Sequence, residues 1–106
     1  MKQTPTEREF CRKISEELGS FRSRMLRKTK EDLFNSANEI DKTVCIYEIL
    51  LEESRVLSEY VMQECLKAGS LLAAVYEKWN EMPGNAEGDL TEAVLQFLNE
   101  MNEYVA

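Results

Sequence analysis

The chain has 106 residues, 43% of them hydrophobic, and its 13 basic and 20 acidic residues leave a net charge of -7. That length suits one domain, residues 1–106, with a modest core, and four Gly and two Pro are too few for a loop-rich sandwich or a disordered tail. The chain contains no His, so the commonest general base, the usual partner of a nucleophilic Ser or Cys and the usual transition-metal ligand are all missing, and neither an enzyme nor a cofactor is expected.

The start MKQTPTEREF lacks the apolar segment of a signal peptide. No apolar run approaches the roughly 20 residues that cross a bilayer. A soluble cytoplasmic protein without membrane contact is therefore expected. Cys11, Cys45 and Cys65 are odd in number, widely spaced and without a C-x-x-C pair, which fits small apolar residues in a reducing compartment rather than a zinc site.

Thr4, Pro5 and Glu7 form a helix start, with a cap, a first-turn proline and a capping-box acid. Phe10, Cys11, Ile14, Leu18, Phe21 and Met25 then fall within about 100° of arc, the width of a core-facing stripe. Gly19 sits opposite that stripe and marks a kink or a close approach. Thr29 is the next cap. It is followed by Leu33, Ala37, Ile40, Val44, Tyr47 and Leu51 at spacings of four and three, an a/d seam of about two and a half heptads that suits an antiparallel helix pair in a bundle. Around CIYEILL, residues 45–51, apolar residues lie on nearly every side, so this helix is expected to be central.

Ser58 caps a short segment carrying Val61, Met62, Cys65 and Leu66, and Gly69 ends it. Ser70 opens the next, with Leu71, Leu72, Val75, Trp79 and Met82 on one face, stopped at Pro83-Gly84. After the loop PGNAEG, Asp89 caps a last helix whose stripe is Leu90, Val94, Phe97, Leu98, Met101 and Val105. The expected fold is all-α, a compact bundle of four to five helices with short connections, and Met25, Met62, Met82 and Met101 fill its core.

Charge is divided unevenly along this plan. Residues 1–30 carry nine Lys or Arg and four Asp or Glu, hence +5, and residues 31–106 carry four and sixteen, hence -12. A basic corner gathers Arg22, Arg24, Arg27, Lys28 and Lys30. Helix-end electrostatics account for its position, because cations at the end of one helix and Glu31 and Asp32 at the start of the next each match a macrodipole. The functional alternative is a grip on phosphate or an acidic protein. Direct nucleic-acid binding is not expected, since the corner lacks interleaved aromatics and the -12 body would repel a duplex.

From Trp79 onward there is no Lys or Arg, against Glu81, Glu87, Asp89, Glu92, Glu100 and Glu103. These carboxylates form either a solvated face or a docking face for a basic groove, in which they would stand in for phosphates. Trp79 and Tyr76 are either a core edge or an aromatic anchor beside that face. Glu48 and Glu52 have an i, i+4 spacing, but no E-x-x-H accompanies them, so no metal site is expected.

The order F-x-x-x-I-x-x-E-L-x-x-F over residues 10–21, KEDLFNSANEI at 30–40 and ECLKAGSLLAAVYEKW at 64–79 resemble a bacterial domain family of unknown function from phages and mobile elements. The resemblance spans residues 8–80. It implies a small helical domain in a mobile-element setting and supplies no catalytic residues.

A protein-binding module is therefore expected. In one form it is an anti-CRISPR-like inhibitor, a nucleic-acid mimic whose acidic face blocks the basic channel of a nucleic-acid-guided nuclease. In the other it is a helical scaffold or self-associating adaptor, a homodimer in which the basic corner of one copy meets the acidic face of another.

Overall fold

A computed structural model describes residues 4–82 and 89–103. Every regular element among them is an α-helix: α1 Pro5–Leu26, α2 Lys30–Asn35, α3 Ala37–Glu53, α4 Glu59–Lys67, α5 Leu71–Glu81 and α6 Asp89–Glu103. The loop expected at PGNAEG lies outside the described residues, as does the side chain of the Asp89 cap.

The helix starts rest on short-range chemistry. Thr4 Oγ1 accepts from the Glu7 amide at 3.0 Å, Thr29 Oγ1 from Asp32 at 3.1 Å, Ser58 Oγ from Val61 at 3.2 Å and Ser70 Oγ from Ala73 at 3.2 Å. Each satisfies one amide that the first turn leaves without a backbone acceptor.

One core joins five helices. Phe10 and Ile14 of α1 meet Ile46 and Leu50 of α3, Val61, Met62 and Cys65 of α4, Leu71, Leu72, Val75 and Trp79 of α5, and Leu90, Ala93, Val94 and Leu98 of α6. The described residues of the stripes expected on α1 and α6 face this core: Phe21 and Met25 are buried as well, Cys11, Leu18, Phe97 and Met101 are half-buried, and Val105 lies outside the described residues. Of the methionines, Met25 and Met62 are buried, while Met82 and Met101 are half-buried against the core.

Among the described residues the helices number six rather than four or five, because the segment after Thr29 divides at Ser36. Ser36 Oγ donates to the Asp32 carbonyl at 2.9 Å and accepts from Lys28 Nζ at 3.0 Å. Such side-chain bonding to the preceding turn competes with regular helix and bends it.

The expected seam also needs correction. α3 turns Lys42, Thr43, Ile46 and Leu50 inward, whereas Leu33, Ile40, Tyr47 and Leu51 are half-buried and Ala37 and Val44 are exposed. Lys42 explains the choice of face. Its stem lies along the interior, and its Nζ bonds Asp41 Oδ2 at 3.2 Å and stands 5.8 Å from the centroid of the Trp79 ring, so a cation covers the core edge.

α1 is fastened to the α4–α5 connection by two charged residues one turn apart. Lys13 Nζ donates to the carbonyls of Ala68 and Gly69, each at 2.9 Å. Glu17 Oε1 accepts from the Leu72 amide at 2.9 Å and from Ser70 Oγ at 3.2 Å. The buried Glu17 Oε2 lies 3.3 Å from Lys13 Nζ and is held by charge rather than by an aligned hydrogen bond. The cation thus meets the end of α4 and the anion the start of α5, as the helix dipoles favour.

Gly19 follows within the same helix, which continues through it, and a Cβ there would meet nothing within 4 Å. The close approach considered for it does not occur. Urea denaturation should therefore separate the two positions. Glu17→Ala should lower stability by about 1.5–3 kcal/mol, since it strips a buried amide of a charged acceptor, whereas Gly19→Ala should raise it by about 0.5–1 kcal/mol. Equal behaviour of the two variants would contradict the clasp.

Candidate functional site

The feature with no structural role is the outer side of α2 and the first half of α3. Leu33 and Phe34 from α2 and Ala37, Ile40 and Val44 from α3 line an open groove with Lys30 and Asp41 at its edges. Phe34 is 80% exposed, and Leu26, just before α2, is 66% exposed. Isolated exposed apolar residues are ordinary on a protein surface, but a continuous strip with a charged border marks an interaction surface.

The division at Ser36 builds this groove. α2 buries none of its own residues, and α3 spends its inward face on Ile46 and Leu50. The four-three spacing of Leu33, Ala37, Ile40 and Val44 is therefore that of a helix-pairing seam whose partner is not supplied by the rest of the described bundle.

The basic corner lies beside it. Arg22, Arg24, Arg27, Lys28 and Lys30 are all exposed. Arg24 stands 5.5 Å from the centroid of the Phe21 ring, and Lys28 is tied to Ser36. The structure thus sets these cations at the α1–α2 junction, where the helix end and the apolar groove adjoin.

The acidic face is described in part. Glu81 ends α5, and Glu92 and Glu100 are exposed on α6. Glu87 and the side chains of Asp89 and Glu103 lie outside the described residues. At 100° per residue, Glu92 and Glu100 lie about 80° apart, on an arc that adjoins buried Ala93 and points away from buried Val94 and Leu98. Glu100 pairs with Lys78 of α5, so this carboxylate is engaged within the chain.

The aromatic anchor is not available. Trp79 is only 4% exposed because it belongs to the shared core and Lys42 covers it. Tyr76 is half-buried, with its ring 6.0 Å from that of Trp79 at an interplanar angle of 33°. The aromatic residue that is exposed instead is Phe34, which lies outside the four-three spacing of the seam and was singled out by no sequence pattern.

Among the described residues no group of three His, Cys, Asp or Glu is placed to hold a metal ion, and Glu48 and Glu52 are exposed beside a second open depression lined by Cys45, Ile49, Leu51, Leu90 and Thr91. Cys65 is fully buried, while Cys11 and Cys45 are half-buried, less covered than expected. Cys11 Sγ lies 3.6 Å from Ser54 Oγ.

Burial pushes the Cys65 thiol up from its ordinary 9.0 to about 11; nearby Lys13 opposes the rise, and Glu17 and Glu64 add to it. Iodoacetamide at neutral pH should therefore leave Cys65 unmodified in the folded protein and label it only in denaturant, as peptide mass mapping would read. A thiolate destabilises the fold here. The stability that the neutral thiol confers is intact below pH 9 and is lost as pH rises from 9 towards 11, because the unfolded chain releases the proton first.

No helix among the described residues is long and apolar enough to cross a membrane. Comparison of the chain with protein-family models, with curated proteins and with solved structures finds no match in any of the three.

Proposed function

We propose that this chain is a non-enzymatic, cytoplasmic protein-binding module that acts as a helical adaptor, docking through the α2–α3 groove. The observation that carries this reading is the exposure of Phe34 beside a seam of helix-pairing spacing, in the groove that both line. Packing an apolar seam against a complementary helix removes it from water at roughly 25 cal/mol per Å², and a large ring such as Phe34 at the centre of such a contact is a natural hot spot.

Replacing Phe34 with the photocrosslinking residue p-benzoylphenylalanine and irradiating intact cells tests the groove. Discrete crosslinked species should appear from position 34 and be absent from Arg12, which is exposed on α1. A pattern from position 34 no stronger than that from Arg12 would contradict docking there.

The inhibitor is the second reading, and the exposure of Glu92 and Glu100 on α6 favours it. In this form the chain, set in the phage and mobile-element context of the family resemblance, lays carboxylates into the basic channel of a nucleic-acid-guided nuclease, competing with guide or target. Burial of Trp79 and the Lys78–Glu100 pair weaken it relative to the groove. A cleavage assay with a purified nuclease of this kind checks it: Glu92→Lys with Glu100→Lys should restore cleavage, and inhibition that survives the reversal would sink the acidic-face mechanism.

A further inference from the structure

The groove has a charge pattern that only some partners match. Lys30 stands at one end of the strip and Asp41 borders it, and beyond the groove's lining Glu48, beside the second depression, follows Asp41 two turns along α3. At 100° per residue Asp41, Val44 and Glu48 remain within about 60° of one another, so acid and seam travel together. A partner helix must therefore present an apolar strip with an acid where this one has Lys30 and a cation where it has Glu48.

A second copy of the same strip, turned end for end, has that layout. We infer that the α2–α3 groove is the interface of a two-fold symmetric homodimer, an inference that rests on the groove's being a docking surface. In an isologous contact, residue i meets j and j meets i. The register that sets Phe34 of one copy opposite Val44 of the other also sets Lys30 opposite Glu48, because both pairs are centred on the same level of the chain. Ala37 lies near that centre, where a small side chain lets helix axes approach to about 8 Å.

The two ends of the interface are then identical ion pairs flanking an apolar middle. Phe34, Val44 and their neighbours supply the driving force, and the Lys30–Glu48 pairs select the antiparallel arrangement, since parallel docking would set Lys30 against Lys30 and Glu48 against Glu48.

Sedimentation velocity on the purified chain, from about 5 to about 500 µM, brackets a weak to moderate association. The mass should rise with concentration from the 12.3 kDa of one chain towards twice that value. Phe34→Glu should hold it at the monomer mass, with an unchanged circular dichroism spectrum because the residue is exposed. Lys30→Glu and Glu48→Lys should each weaken dimerisation at least tenfold, and their equimolar mixture should recover it as a heterodimer in which both ion pairs are restored, one with its original sign and one reversed. A monomer mass throughout overturns the dimer, and crosslinks from position 34 to a different protein would then leave the docking surface standing with another occupant. Dimers that resist Phe34→Glu, or no recovery in the mixture, overturn this interface.

Discussion

The Lys13–Glu17 clasp on the α4–α5 connection is the constraint on which the rest of this small bundle depends. Lys13 satisfies the Ala68 and Gly69 carbonyls, and Glu17 satisfies the Leu72 amide and the Ser70 hydroxyl, so one turn of α1 fixes two helices at once. Within an isolated helix, a Lys four residues before a Glu is the less favourable order for such a pair. Here the tertiary partners decide the order, because the end of α4 requires a cation and the start of α5 an anion.

With α1 held there, α3 closes the core with Ile46 and Leu50 and covers its edge with Lys42 over Trp79. α3 is apolar on several sides, and the other described helices cover only part of it. The uncovered side is the Leu33–Val44 strip, continued onto α2 by the bend at Ser36. Its charged border comes from the same economy: the cations that complement the end of α1 are also those nearest the groove, so helix-end electrostatics and recognition are served by one group of residues.

What was legible in the sequence was what acts over a few residues. Thr4, Thr29, Ser58 and Ser70 each cap an amide three positions on, and the stripes of α1 and α6 follow from the period of a single helix. The inward face of α3 was hidden because Lys42 and Thr43, two of its four buried residues, count as polar in any hydrophobic pattern. Trp79 could be read as core edge or exposed anchor, since what covers it comes from α3, far away in the chain. The clasp was unreadable for the same reason: Glu17 and Leu72 are separated by 55 positions.

The central claim is that the exposed seam pairs with its own copy, and contact between two specific side chains tests it most directly. In an equimolar mixture of isotope-labelled and unlabelled protein, isotope-filtered nuclear Overhauser spectra report only contacts between different molecules. The account predicts intermolecular cross-peaks between the Phe34 ring of one chain and the Val44 methyls of the other. Their absence from a dimeric sample, or their replacement by contacts from the carboxylate side of α6, would contradict it.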